Sequence, residues 1–169
     1  MKSIILIGFM GTGKSRVGKE LAKKLGWRFL DTDDLIEEKC GMKIKEIFKK
    51  FGEKYFRDRE SEAARKVGRL KGTVIATGGG IVLREKNIKN LRKNGILICL
   101  TCKPEVILKR IGKSNKRPLL APKIEDALFQ IRSILKKRKP YYAQADYVIN
   151  TSNLRVREVV ERIQLDVRS

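Results

Sequence analysis

The segment from Gly8 to Ser15, with the sequence GFMGTGKS, constrains the fold more than any other part of this 169-residue chain. It fits the pattern G-x-x-x-x-G-K-[ST]; it follows an apolar run typical of a buried strand and precedes apolar residues at helical spacing. In that setting, backbone N–H groups and the helix N-terminus surround phosphate oxygens. Lys14 can reach the outer phosphates, and the hydroxyl of Ser15 can ligate Mg²⁺. The motif therefore predicts a strand–loop–helix unit that binds a nucleoside triphosphate.

Strand-like and helix-like segments alternate along the chain. Five apolar runs predict strands at 3–9, 28–30, 73–77, 96–101 and 147–149. The spacing of apolar residues predicts helices at 14–25, 34–40, 45–51, 55–70, 84–93, 104–111, 126–139 and 154–165. Pro140 is expected to end the helix at 126–139. Buried strands separated by helices indicate an α/β fold: a parallel sheet covered on both faces, or three-layer α/β/α sandwich.

The chain is strongly basic, with 40 Lys and Arg residues, 19 Asp and Glu residues and a net charge of +21. It contains no His. The absence of His excludes an imidazole base, His metal ligands and a Ser-His-Asp triad. The stretch 31–62 is locally acidic, with ten acids and eight bases. A basic chain with a local cluster of carboxylates suits a polyphosphate or a nucleic acid. It also fits the charged surface of a heat-adapted protein, so composition leaves these alternatives open.

Two carboxylates follow the second predicted strand. Asp31 and Asp33 are at i and i+2 of an extended segment, so their side chains are expected to point the same way. The carboxyl ends of parallel strands face the ligand crevice of such a sheet. One carboxylate suits Mg²⁺ held through water, and the other suits an acceptor hydroxyl that must be oriented or deprotonated. As an alternative role, Asp33 or Asp34 caps the following helix, and we expect Asp34 to do so.

Two further segments are candidates for ligand contacts. Thr77–Gly80 ends the third predicted strand with three glycines, which permit close approach to a ligand but also occur in plain turns. The stretch 112–123 has no regular apolar spacing, contains four bases and no acids, and includes Arg117. A loop of this kind can deliver an arginine to a triphosphate, and a solvated loop is the alternative.

The order and spacing of these segments resemble those of the shikimate kinase family, a branch of the P-loop kinases. The resemblance extends from Ile4 to about Leu165. The marks that carry it are Gly8–Ser15, Leu30–Asp33, Ile47-Phe48 with Gly52-Glu53 and Phe56-Arg57, Thr77–Gly80, Arg117–Leu120, and Arg138 with Tyr142. It implies an enzyme that transfers the γ-phosphate of ATP to the 3-hydroxyl of shikimate, in the biosynthesis of chorismate and aromatic amino acids.

For the architecture, the resemblance implies a single P-loop kinase domain over 1–169, with a sheet of strand order 2-3-1-4-5. It implies a helical substrate-binding region at about 34–62 and a lid at about 112–123. ATP and shikimate would be the partners of a monomer that binds neither nucleic acid nor a membrane. Three cysteines, an odd number, are typical of free thiols in a reducing cytoplasm.

For the site, the resemblance implies a role for each matching residue. Asp33 would contact the acceptor hydroxyl, and Gly79 would offer its backbone N–H to the substrate. Arg57 and Arg138 would pair with the shikimate carboxylate, and the planar guanidinium group is independently well suited to a carboxylate.

The nucleotide side of the site follows in the same way. Lys14 and Arg117 would stabilise the transferring phosphoryl group, and Ser15, with Asp31 through water, would hold one Mg²⁺ ion. Arg110 would lie near the adenine. The residues expected to contact the nucleotide are Gly11, Thr12, Gly13, Lys14, Ser15, Arg16, Arg110 and Arg117.

Two other functions stay open at this point. A gluconate or nucleotide kinase can share the fold, but a pair of arginines suits a carboxylate better than a nucleobase. A basic protein that binds RNA or DNA and uses ATP as a switch is the second. Its weakness is the low aromatic content, 7%, which leaves little surface for base stacking.

Overall fold

The computed structural model describes residues 1–112 and 123–169, and their five strands form one parallel sheet. The strands are β1 (Ser3–Ile7), β2 (Arg28–Asp31), β3 (Thr73–Ala76), β4 (Gly95–Thr101) and β5 (Tyr147–Asn150). They lie in the order β2-β3-β1-β4-β5, and every neighbouring pair is parallel. The predicted sheet and its order are confirmed.

Helices connect each strand to the next, and a last helix follows β5. Within the described ranges they are α1 (Lys14–Leu25), α2 (Thr32–Cys40), α3 (Ile44–Val67), α4 (Glu85–Arg92), α5 (Pro104–Gly112), α6 (Ile124–Tyr142) and α7 (Val156–Arg168). A short 3₁₀ turn (Ile81–Leu83) follows the glycine-rich segment after β3. In these ranges no helix combines the length and apolar character that crossing a membrane requires.

Alternate residues of the central strand β1 pack into opposite faces of the sheet. Ile4 and Leu6 lie in a core with side chains of α1 and α7, such as Leu21 and Val160. Ile5 and Ile7 lie in a second core with side chains of α3 and α4, such as Val67 and Leu91. Burial of each such side chain contributes about 1.5–3 kcal/mol. The helices therefore form a layer on each face, which confirms the predicted three-layer sandwich.

Gly52 interrupts α3, with φ 83° and ψ 176°. The sequence predicts two helices here, at 45–51 and 55–70, and the break at Gly52 lies between them. The prediction of two separate helices therefore describes the backbone well. The second part is shorter than predicted, since α3 ends at Val67 and Gly68 follows it.

The start of α2 differs from the prediction. The helix begins at Thr32, and its cap is Asp31, whose side chain accepts a hydrogen bond from the N–H of Asp33 at 2.9 Å. The expectation that Asp33 or Asp34 caps the helix is therefore wrong, because both lie inside its first turn. Asp31 and Asp33 also do not lie together on an extended strand. They come close because the chain changes from β2 to α2 between them.

Helix α6 continues through Pro140 and ends at Tyr142, so the predicted end before Pro140 is wrong. A proline in a helix removes one backbone hydrogen-bond donor. Pro140 lies in the last turn of α6, so only Tyr141 and Tyr142 of the helix follow it. The extension places Tyr142 on the same helix as Arg138, about one turn further along.

Candidate active site

The loop between β1 and α1 closes on the side chain of Lys14. Gly11 and Gly13 have φ values of 76° and 100°, which favour glycine, and Gly13 is the N-cap of α1. The ammonium group of Lys14 donates to the carbonyls of Gly8 and Phe9, at 2.6 and 2.8 Å. The N-terminus of α1 and a buried cation therefore lie at one loop, which is the arrangement that binds phosphate.

Ser15 and Asp31 are in direct contact at the edge of this loop. The hydroxyl of Ser15 donates to Oδ2 of Asp31 at 2.7 Å, while Oδ1 of Asp31 accepts the N–H of Asp33. Both side chains offer the hard oxygen ligands that Mg²⁺ prefers. Across 1–112 and 123–169, no three His, Cys, Asp or Glu side chains form a metal cluster. The pair fits Mg²⁺, which usually takes one or two protein ligands and completes its shell with phosphates and water.

The segment Thr77–Gly80 lies beside the phosphate loop, and the missing β-carbon of each of its glycines makes room for a charged side chain. A β-carbon on Gly78 would stand 2.7 Å from Oδ1 of Asp33 and 3.0 Å from Oε2 of Glu60. At Gly79 it would stand 3.2 Å from Nη1 of Arg138, and at Gly80 it would overlap the guanidinium of Arg57. Asp33, Arg57 and Arg138, the side chains predicted for the acceptor, therefore lie against three successive glycines of one segment.

Gly79 also joins this cluster to the phosphate loop. The position of its absent β-carbon is 3.4 Å from the carbonyl oxygen of Gly8 and 3.6 Å from the backbone nitrogen of Met10. Arg138 adds a second link, because its guanidinium carbon lies 5.8 Å from the ring centre of Phe9. The side chains predicted for an acid substrate thus adjoin the loop predicted for ATP.

Glu60 is a further member of the cluster that the sequence reasoning missed. Its side chain is 1% exposed, and Oε1 accepts a hydrogen bond from Nη1 of Arg57 at 2.9 Å. The two residues are three positions apart on α3, a spacing at which opposite charges pair on a helix, so this signal was present in the sequence. Glu60 also lies against Gly78, next to Asp33. It therefore adjoins two predicted site residues, Arg57 and Asp33.

Arg110 connects the phosphate loop with the loop after β5. Nη1 donates to the carbonyl of Gly11 at 3.2 Å and to the hydroxyl of Thr151 at 3.3 Å, and Nη2 donates to the carbonyl of Thr151 at 3.1 Å. The hydroxyl of Thr151 donates to the carbonyl of Thr12 at 3.0 Å. Arg110 therefore borders the phosphate loop, and its role near the adenine stays a prediction.

The other predicted residues are placed as follows. Arg16 lies in the first turn of α1 with an exposed side chain, and the structure brings it into none of the contacts above. Arg117 and most of the predicted lid fall on 113–122 and lie outside the described residues.

Comparison with known proteins decides the family. The family model for shikimate kinase matches residues 10–168. The chain belongs to the shikimate kinase family. A shikimate kinase of Caldanaerobacter subterraneus subsp. tengcongensis is 52% identical over 163 residues, which cover 96% of this chain and 94% of that protein. One of Thermodesulfovibrio yellowstonii is 50% identical, with 96% of this chain and 93% of that protein covered.

Solved structures agree with this membership. The structure of shikimate kinase from Acinetobacter baumannii in complex with shikimate has a TM-score of 0.92 and 37% identity, covering 99% of this chain and 93% of that one. As a shikimate kinase family member with the P-loop fold, the chain is an ATP-dependent kinase that phosphorylates shikimate in aromatic biosynthesis. The family, fold and activity predicted from the sequence are confirmed.

A separate cavity of about 400 Å³ lies between α2 and α3. Its lining includes Leu35, Ile36, Lys39, Cys40, Arg59 and Glu62. None of the predicted site residues lines it.

Proposed function

We propose that the cluster formed by Asp33, Arg57, Arg138 and the three glycines holds shikimate while the phosphate loop holds ATP. The observation that carries this proposal is the placement of charged side chains against each of Gly78, Gly79 and Gly80, directly beside the phosphate loop. The position of Gly79 next to Gly8 and Met10 supports a short path between the two substrates.

Arg57 and Arg138 bind the shikimate carboxylate, and Asp33 accepts a hydrogen bond from the 3-hydroxyl. Two guanidinium groups near one anion provide paired, charge-assisted hydrogen bonds. The backbone N–H of Gly79 completes the contact. Helices α2 and α3, within about 34–62, form the substrate-binding region of a single kinase domain over 1–169.

Lys14 and Arg117 stabilise the charge on the transferring phosphoryl group. In the described structure Lys14 bonds carbonyls of its own loop, so ATP binding replaces these acceptors with phosphate oxygens. Gly11, Thr12 and Gly13 contribute backbone groups to the phosphates, Arg16 contacts the nucleotide from the first turn of α1, and Arg110 lies near the adenine.

One Mg²⁺ ion, held by Ser15 and through water by Asp31, would neutralise charge on the ATP phosphates when it is bound. The protein residues act by position and charge, because the loose transition state of phosphoryl transfer needs little covalent chemistry from the protein. Asp33 orients the hydroxyl in line with the γ-phosphate and accepts its proton late in the transfer.

The working enzyme is proposed to be a cytoplasmic monomer that binds neither nucleic acid nor a membrane. Three free cysteines, two of them buried, suit a reducing compartment.

A coupled assay of ADP release tests the proposal, with shikimate, gluconate and nucleoside monophosphates as acceptors and with Mg²⁺ or EDTA. We expect turnover with shikimate and Mg²⁺ only. Product analysis by NMR should place the phosphate on the 3-hydroxyl. A preference for gluconate or a nucleotide would overturn the substrate assignment, and retention on RNA or DNA at physiological salt without ADP release would favour the nucleic-acid alternative.

A further inference from the structure

We propose that the hydroxyl group of Tyr142 is a positioning group for shikimate: by holding the carbonyl of Gly79, it fixes the glycine segment relative to Arg138. This inference rests on the proposed function of the cluster. Tyr142 itself is not expected to touch either substrate.

The contact between Tyr142 and Gly79 is buried and joins distant parts of the chain. The tyrosine is 8% exposed, and its hydroxyl donates to the carbonyl of Gly79 at 2.8 Å across 63 residues of sequence. Burial raises the pKa of Tyr142, so the phenol keeps its proton and stays a donor at neutral pH. The ring lies in the core with Ile7 and Ile81, and a phenylalanine ring would fill that space equally well, so packing does not explain the hydroxyl.

The hydrogen bond determines how one peptide group of the glycine segment is oriented. The structure has no cis peptide bonds among its described residues, so the N–H of Gly80 points opposite to the carbonyl of Gly79 and away from Tyr142. The preceding peptide groups are held by other partners. The N–H of Gly78 donates to the hydroxyl of Thr32 at 3.1 Å, and the carbonyl of Gly78 accepts from Ile81 at 3.2 Å. Tyr142 supplies the corresponding restraint for the peptide group between Gly79 and Gly80.

The same bond sets the distance between α6 and the glycine segment. Arg138 precedes Tyr142 by about one helical turn, and its Nη1 lies 3.2 Å from the position of a β-carbon on Gly79. Both side chains of α6 therefore meet the same glycine, one through its carbonyl and the other beside its α-carbon. Without the hydroxyl, the Gly79 carbonyl loses its buried partner, and the peptide can turn toward another donor.

Tyr142→Phe tests this inference, because it removes the donor and keeps the ring. We expect the dissociation constant of shikimate, measured by calorimetry, to rise about five- to tenfold, as displacement of a binding group by a fraction of an ångström would do. The dissociation constant of ATP should stay within about twofold. Tyr141→Phe is the matched control, since Tyr141 is 36% exposed and its hydroxyl makes no hydrogen bond among the residues described. It should leave both constants unchanged.

A double-mutant cycle with Arg138→Ala separates positioning from general loosening. If Tyr142 acts through the placement of Arg138, Tyr142→Phe has a smaller effect on shikimate binding in the Arg138→Ala background than in the wild type. Unchanged shikimate binding in Tyr142→Phe, or equal weakening of shikimate and ATP, would overturn the inference. Failure of the proposed function would look different, because Arg138→Ala alone would then leave shikimate binding unchanged.

Discussion

The guanidinium group of Arg57 lies directly against the α-carbon of Gly80, so a β-carbon there would stand 2.6 Å from Cζ and 2.7 Å from Nη2 of Arg57. Gly80→Ala would therefore displace the guanidinium from its place beside Glu60. We expect the KM for shikimate to rise about tenfold or more, which corresponds to about 1.4 kcal/mol of binding free energy. The KM for ATP should stay within about twofold. Steady-state kinetics with each substrate varied in turn measures both values.

Gly112→Ala is the control for this substitution. Gly112 ends α5, and a β-carbon at that position would meet no atom of the described residues within 4 Å. The control should keep the wild-type KM for shikimate. A wild-type KM in Gly80→Ala would show that Arg57 can move without loss, which contradicts its assigned role.

The carboxylate of Asp33 is the proposed acceptor of the hydroxyl proton. Asp33→Asn keeps the size of the side chain and removes its charge, so we expect kcat to fall by about 10²–10⁴-fold. Calorimetry should show the ATP affinity within about twofold of wild type, because the nucleotide is bound by the phosphate loop. Asp34→Asn, the same change at the exposed neighbouring position, should turn over normally. Near-normal turnover of Asp33→Asn would remove Asp33 from the mechanism.

Buried Glu60 is expected to stabilise the fold as well as the site. Glu60→Gln removes the charge that faces Arg57 at 2.9 Å with 1% of the glutamate exposed. Breaking a buried pair in this way costs about 3–5 kcal/mol, so urea unfolding should show a large loss of stability, together with a higher KM for shikimate.

Glu53 provides the matched control, because it pairs with the same arginine at 3.5 Å but is 68% exposed. Glu53→Gln should lower the free energy of unfolding by less than about 1 kcal/mol. Similar losses for the two variants would mean that burial does not distinguish these pairs.

Local patterns explain how much of the fold could be predicted. The phosphate loop is a contiguous motif, and the strands are short apolar runs, so their order along the chain and their parallel pairing followed from general rules of α/β folds. The strand ends were less accurate. The run at 3–9 ends as β1 at Ile7, since Gly8 and Phe9 turn into the loop that receives Lys14.

Contacts between distant residues explain what could not be predicted. Asp31 is the cap of α2 because its carboxylate is shared between Ser15 and the N–H of Asp33, and the contact with Ser15 is tertiary. The bond from Tyr142 to Gly79 spans 63 residues and also depends on α6 continuing through Pro140. Propensity alone predicts a helix end at that proline, so packing against the glycine segment decides the outcome.

The buried thiol of Cys99 should make stability depend on alkaline pH. Burial raises its pKa from 9.0 to about 11. Between these values the unfolded chain has released this proton and the native chain has kept it, so the stability present below pH 9 is lost as the pH rises toward 11. Urea unfolding of wild type and Cys99→Ala at about pH 8 and about pH 10.5 should show a smaller decline for the variant. Parallel declines would show that Cys99 does not contribute.

On the nucleotide side, the hydroxyl of Thr151 joins the phosphate loop to β4 and α5. It lies 3.0 Å from the carbonyl of Thr12 and 3.1 Å from that of Thr101, and it accepts a hydrogen bond from Arg110. Thr151→Val keeps the shape and removes these bonds, leaving buried carbonyls with one partner fewer. We expect the KM for ATP to rise about three- to tenfold, with the KM for shikimate within about twofold.

Thr101→Val tests whether that effect belongs to the hydroxyl of Thr151 or to any loss of a hydroxyl nearby. Thr101 lies at the end of β4, and its side chain makes no hydrogen bond among the residues described, while its carbonyl receives the N–H of Thr151 at 2.8 Å. Because the backbone bond survives the substitution, nucleotide kinetics should stay at the wild-type level. A selective loss of ATP binding in Thr151→Val alone, opposite to the shikimate-selective loss expected for Tyr142→Phe, would show that each substrate depends on its own buried hydroxyl. If instead both substitutions weakened the binding of both substrates equally, the two halves of the site would have to respond as one unit, where Gly79 lies next to Gly8.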